Sequence, residues 1–251
     1  MMMNASRLLY GLAIISALFL AHPTAAQVTA TPLPLSRYGL PVVKGAEVYA
    51  QMVVADPENE LLDMRQLLPN ARFDVTYAGT NNFLKRKLYP TPDLFMRAPA
   101  ARALVRASEI LKEKGFGLLL FDGYRPYSVT ELFYEEIGDT TFVADPRKGS
   151  KHNRGMAIDL TLYDLKTGEE VLMPTAYDEA SPKAYQDYSG GNPKALKNRA
   201  ILREAMEQVG FSIFKYEWWH YDYQGWENCP TYDIWHLEIQ KINNQLRKIK
   251  K

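Results

Sequence analysis

The residues best able to do chemistry lie in Ser150-Lys151-His152-Asn153-Arg154-Gly155-Met156-Ala157-Ile158-Asp159, where an imidazole and a carboxylate flank a glycine. A second imidazole follows in Glu217-Trp218-Trp219-His220, three residues after a carboxylate. Together they offer His152, Asp159 and His220 as ligands for a metal and Glu217 as a spare carboxylate. Catalytic zinc commonly takes three N/O side chains and keeps its fourth position for water, so this count fits a hydrolytic centre. With Glu217 as a fourth ligand the site would instead be closed and structural. Zinc is favoured, one ion per chain, although Co, Ni and Fe(II) accept the same donors.

Spacing dictates how the backbone must present these groups. Positions 152 and 159 differ by an odd number and would face opposite sides of an uninterrupted strand. The chain must therefore bend, and Gly155 can take the backbone angles a bend needs, so His152 is expected on a loop and Asp159 on the strand after it. Glu217 and His220 meet on one face only if their segment is helical or kinked, and the residues leave both open.

The surrounding pattern predicts elements that would hold such a site. Ala100 to Lys114 carries apolar residues at helical spacing between Pro99 and Gly115, a proline start and a glycine stop. Gly117 to Asp122 reads as a short buried strand ending at the turn Asp122-Gly123, and Val129 to Ile137 as a short helix. Met156 to Leu162 alternates as a half-buried strand does. Residues 194 to 209 put Ala195, Leu196, Ile201, Leu202, Ala205 and Val209 on a stripe closed by Gly210. The aromatic run Phe211 to Tyr223 suits a strand or hairpin, and Ile242, Leu246 and Ile249 mark a final helix. Helices and strands do not alternate strictly. The expected fold is therefore α+β, one domain with a small antiparallel or mixed sheet flanked by helices and the metal in a central cleft.

At the N-terminus Arg7 precedes an apolar run from Leu8 to Ala21 and small residues at Thr24-Ala25-Ala26, the pattern of a secretory signal peptide over residues 1–26. The run is shorter than the roughly 20 residues that span a bilayer, so cleavage after Ala26 and no stable membrane insertion are expected. The remaining domain, residues 27–251, would be exported to the periplasm, its segment up to Pro41 extended across the surface. With a single cysteine, Cys229, it forms no internal disulfide and relies on its core. Thirty Lys plus Arg against 29 Asp plus Glu speak against a nucleic-acid partner, and the basic end Arg247 to Lys251 reads as a solvated terminus.

Taken together, the pattern Ser150-x-His152-x-x-Gly155-x-Ala157-x-Asp159 with Glu217-x-x-His220 resembles the D-alanyl-D-alanine dipeptidase family, zinc peptidases related to D,D-carboxypeptidases. Tyr77-Ala78-Gly79-Thr80-Asn81-Asn82-Phe83, Asp122-Gly123-Tyr124-Arg125-Pro126 and Ile158-Asp159-Leu160-Thr161-Leu162 resemble it in the same order, so the likeness spans roughly residues 40 to 225. It implies that His152, Asp159 and His220 bind zinc and that Glu217 is the general base toward a metal-activated water. It implies that Arg125 stabilises the oxyanion, where its own sequence context would equally suit a surface ion pair. Asp178 would receive the substrate ammonium and Ser150 would lie beside it, although an Asp in a loop is also simply solvated. The implied substrate is the small dipeptide D-Ala-D-Ala, in cell-wall turnover or nutrient recovery. A D,D- or L,D-carboxypeptidase acting on longer muropeptides and a non-catalytic wall-binding module are the alternatives. Trp218, Trp219 and Trp226 read as core more readily than as pocket walls, and His236 as structural.

Overall fold

Strand β1 (Val42–Lys44) pairs in parallel with β9 (Thr231–Asp233), and helix α1 (Ala46–Ala55) packs between β1 and the C-terminal helix α6 (His236–Ile249). The computed structural model describes residues 32–140 and 142–249. The expected signal peptide at residues 1–26 lies outside the described residues. Tyr49 and Val53 form the buried edge of α1 and join Val43, Leu61, Phe95, Tyr124, Tyr232, Ile239 and Ile242 in a small core. Sequence reading missed α1 because Val48 and Val54 are exposed, so its apolar residues mark no single stripe.

The second part of the fold holds the site. Strand β2 (Leu61–Asp63) leads into the single turn α2 (Met64–Leu67) and pairs antiparallel with β4 (Phe95–Arg97). A five-stranded mixed sheet runs in the order β3 (Arg72–Phe73), β5 (Phe116–Asp122), β6 (Ala157–Asp164), β8 (Glu217–Tyr223) and β7 (Phe211–Phe214). Only β3 and β5 are parallel; the other neighbours are antiparallel. Helices α3 (Ala98–Glu113) and α5 (Pro193–Gln208) pack on each other and on this sheet, and α4 (Tyr127–Ile137) follows the turn after β5.

Local chemistry explains these boundaries. In α3 Pro99 occupies the first turn, where its missing N–H costs nothing, and Ala100, Ala103, Leu104, Ala107 and Leu111 make the buried stripe. Helix α5 starts where the Asn192 side chain accepts the Lys194 N–H at 2.9 Å. Its buried residues include Asn198 and Met206 as well as the expected Ala195, Leu202 and Ala205. Along β6 the period of two sends Ile158, Leu160 and Leu162 into the main core, with Trp218, Trp219 and Phe211; Asp159 and Thr161 alternate to the other face, which is also buried, so the strand is not the half-buried one expected. The segment before Pro41 is not simply extended. Leu35 and Pro41 bridge antiparallel because the Ser36 hydroxyl accepts the N–H groups of Tyr38 and Leu40 and folds the chain back.

Candidate metal centre

His152 opens a 3-10 turn, His152–Arg154, that ends on Gly155 in the left-handed conformation (φ 65°) before β6 begins. This is the bend the spacing required. Ser150 accepts the His152 N–H on its hydroxyl at 3.2 Å, and Asn153 accepts the Ser150 N–H at 2.7 Å. The Asn153 amide in turn donates to the Arg125 carbonyl and the Thr130 hydroxyl, each at 2.9 Å. The turn is thereby tied to the Gly123–Pro126 corner that carries Arg125. A side chain at Gly155 would meet Leu61 at 2.6 Å and the Arg97 backbone nitrogen at 2.8 Å.

Asp159 on β6 is the register partner of His220 on β8, so the sheet itself brings carboxylate and second imidazole together. Glu217 joins them through a break in the β7–β8 ladder. Pairing runs Phe211↔Tyr223, Ser212↔Asp222 and Ile213↔Tyr221, then jumps to Phe214↔Glu217, leaving Trp218, Trp219 and His220 without opposite partners on β7. The segment is thus a kinked strand, not a helix, and Glu217 Oε2 lies 3.7 Å from His220 Nδ1.

The donor atoms already have the dimensions of a metal site. His152 donates its Nδ1–H to the Gly123 carbonyl at 2.7 Å, which turns the Nε2 lone pair toward the centre. His220 is bonded through Nε2 to Asp222 at 2.8 Å, which turns Nδ1 the same way. His152 Nε2 and His220 Nδ1 are 3.2 Å apart, and they lie 3.5 and 3.0 Å from Asp159 Oδ1. Ligand bonds of about 2.0–2.1 Å in tetrahedral array put donor atoms about 3.3 Å from one another, so this triangle fits a zinc-sized ion with a fourth position left over. His152, Asp159 and His220 are also the group among the described residues that could hold a metal ion.

Electrostatics favour a cation there. Asp122, Asp159, Asp178, Glu217 and Asp222 gather around the imidazoles with Arg125 and Lys151 as counter-charges. Burial opposes ionisation of Asp159, but His152 and His220 outweigh it and hold its carboxyl far below the usual range. Burial likewise opposes a proton on His220, yet Asp222 and Asp159 push its pKa up to about 10. Burial raises Glu217 above an ordinary glutamate, which suits a group that must accept a proton near neutrality.

Arg125 is buried rather than part of a surface ion pair. Its Nε and Nη2 both donate to Asp122 Oδ2, at 3.0 and 2.7 Å, while Tyr89 donates to the other Asp122 oxygen at 2.8 Å. The guanidinium lies 5.2 Å from the Tyr77 ring centre and 4.8 Å from that of Phe133. Asp178, in the left-handed region at φ 60°, accepts the Tyr77 hydroxyl at 2.9 Å. Burial, with Asp159 adding to it, lifts Asp178 to about 7. It is therefore a partly buried member of the site and not a solvated loop residue. Tyr177 donates to Asp159 Oδ2 at 3.1 Å and stacks on Phe121 at 4.3 Å.

Sequence reading had assigned no role to Asp122, Tyr77, Tyr177, Asp222 or Lys151. Asp222 had a legible signal, since residues two apart on a strand share a face and His220-x-Asp222 presents both. Tyr77 headed a family-like segment and Tyr177 precedes Asp178, but neither position says which side chain it will meet, because the two segments lie far apart in the chain. The bland readings stand for Trp218, Trp219 and His236, while Trp226 is only partly buried. Trp218 and Trp219 are core, Trp226 covers Lys151 and Arg154, and His236 is buried among the rings of Tyr89, Phe95 and Tyr124. Burial depresses His236 to about 4, which keeps it neutral.

A buried N/O donor triangle, a nearby basic carboxylate and a fixed guanidinium on an α+β sheet define a metallohydrolase. The sequence narrows the class further: residues 57–242 match the Peptidase_M15 family, described as D-ala-D-ala dipeptidase, and the chain belongs to that family. The match extends beyond the aromatic strand at 223 into α6, further than the motifs alone suggested. The protein named D-alanyl-D-alanine dipeptidase from Enterococcus faecium is 33% identical over 176 residues, covering 62% of this chain and 87% of that protein. Its namesake from Enterococcus faecalis (strain ATCC 700802 / V583) is 34% identical over 185 residues, covering 65% and 91%. That from Escherichia coli (strain K12) is 30% identical over 163 residues, covering 65% and 84%.

Proposed function

We propose that this protein is a zinc dipeptidase, with one ion per chain, that hydrolyses D-Ala-D-Ala to two molecules of D-alanine. The observation that carries the reading is the donor triangle of His152, Asp159 and His220 with Glu217 Oε2 3.7 Å from His220 Nδ1. A zinc ion held by His152, Asp159 and His220 would supply Lewis acidity toward a peptide carbonyl and a water. Glu217 takes the proton of the attacking water and returns it to the leaving amine, a task its raised basicity supports. Were it a fourth ligand, the site would lose both its base and its open position.

Arg125 faces the charge that grows on the carbonyl oxygen. Two bonds to Asp122 fix its plane, so it stabilises that charge without reorganising; removing one such donor typically costs about 10² to 10³ in rate. Asp178 receives the substrate ammonium, and Ser150, whose hydroxyl oxygen takes the His152 N–H, lies beside that group. An anion at that end selects a free amino terminus, because a longer chain leaves the buried carboxylate unpaired. This distinguishes the dipeptidase from a carboxypeptidase that trims longer muropeptides. Glu217 and Arg125 likewise argue against a wall-binding module, which needs neither a base nor an oxyanion donor.

The same proposal places the enzyme outside the cytoplasm, with residues 1–26 removed as a signal peptide and the remaining chain in the periplasm, acting in wall turnover or nutrient recovery. A cell-fraction blot of the tagged native protein tests this; a cytoplasmic, uncleaved chain overturns it. Activity is tested on purified residues 27–251 by measuring bound metal and D-alanine release from D-Ala-D-Ala, L-Ala-D-Ala and a D-Ala-D-Ala-terminated pentapeptide. Cleavage of the D,D-dipeptide alone, lost in Glu217→Ala with zinc retained, supports the reading. Pentapeptide cleavage moves it to the carboxypeptidases, and a zinc-loaded protein that cleaves nothing favours the binding module.

A further inference from the structure

His220 and Asp222 stand two residues apart on β8 and so share its face, and the buried Asp222 carboxylate takes the His220 Nε2–H at 2.8 Å. Its second oxygen lies 3.1 Å from the Lys151 ammonium, which sits 5.4 Å from the Phe214 ring centre and 5.2 Å from that of Trp226. Lys151 immediately precedes His152, so one lysine links the turn that carries one imidazole to the carboxylate behind the other. An ionised carboxylate only accepts, which puts the single proton of a neutral His220 on Nε2 and its lone pair on Nδ1, the atom 3.0 Å from Asp159 and 3.2 Å from His152 Nε2. The Gly123 carbonyl imposes the opposite tautomer on His152, so both rings present lone pairs to one point.

We propose that Asp222, braced by Lys151, is a positioning residue that locks His220 in its Nε2–H tautomer and thereby sets the affinity of the centre for zinc. The inference rests on the metal reading above and names what holds one ligand in place. Outer carboxylates of this kind orient a ligating imidazole and raise its basicity, and their loss typically weakens metal binding by about 10 to 100-fold. Asp222 is not one of the three donors, so its removal acts on the centre through His220 and through the Lys151 that precedes His152.

The test compares zinc affinity, by competition with a chromophoric chelator, in the wild type, Asp222→Ala and Asp222→Asn. Long-range ¹⁵N–¹H spectra of the zinc-loaded, histidine-labelled proteins read the His220 tautomer directly. Asp222→Ala is expected to bind zinc about 10 to 100-fold more weakly and to lose the Nε2–H signature. Asp222→Asn, whose carbonyl oxygen still accepts without charge, is expected to fall between. Should Asp222→Ala fail to fold, Asp222→Asn decides alone. Variants that bind zinc within about twofold of a zinc-binding wild type, with His220 unchanged, overturn the inference and leave the metal reading standing. A wild type that binds no zinc overturns both.

Discussion

Gly155→Ala is the substitution for which the structure fixes a magnitude most directly. Gly155 holds φ 65°, where an L side chain costs roughly 1–2 kcal/mol. The added methyl would also come within 2.6 Å of Leu61 Cδ2 and 2.8 Å of the Arg97 nitrogen, and the latter is backbone that donates to the Gly155 carbonyl at 2.8 Å. Overpacking of that kind typically adds about 1–3 kcal/mol, so the total loss is expected near 2–5 kcal/mol. Gly138, which caps α4 at φ 71° with nothing within 4 Å of its would-be Cβ, supplies the control. Gly138→Ala should cost only the roughly 1–2 kcal/mol of the backbone angle. Urea unfolding of the chelator-treated proteins measures both, and zinc titration should show weaker binding for Gly155→Ala only, because its turn carries His152. Equal losses in the two variants would refute the claim that close packing at β4 holds the His152 turn.

Glu217→Gln keeps the side-chain shape but cannot accept a proton; kcat should fall by about 10² to 10⁴ with metal content unchanged, as steady-state kinetics and metal analysis would show. Arg125→Lys replaces a planar fork that makes two bonds to Asp122 with a point charge, so kcat should drop by up to about 10² to 10³ while KM changes little. Asp178 has its folded pKa raised to about 7, so the fold holds its proton more tightly than the unfolded chain and loses stability as pH rises through that value. Chelator-treated Asp178→Asn should therefore match the wild type near pH 4 and be the more stable protein at pH 8 in thermal unfolding, while its dipeptide turnover is lost; a wild-type advantage at pH 8 would contradict the assignment.

The donors His152, Asp159 and His220 and the carboxylate Glu217 were legible from residue type and short spacing, and a glycine at 155 announces the bend between the first two. The sequence also determined α3, β5, α4, β6 and α5, whose period and end signals are local properties of the chain, and the His220-x-Asp222 pair, had its shared face been used. Whatever depends on distant segments meeting has no local signal and comes only with folding. The register of β6 against β8 sets Asp159 beside His220, and the break opposite Phe214 turns Glu217 toward them, although neither pairing nor break has a local signature. Burial converted Arg125 from a surface charge into a fixed one, through Asp122 and the rings of Tyr77 and Phe133. Tyr77 found Asp178 across a separation of 101 residues, a contact that exists only because a folded core brings two loops to one site. Residue type supplies the chemistry available to a chain; packing supplies the dielectric and the distances at which that chemistry operates.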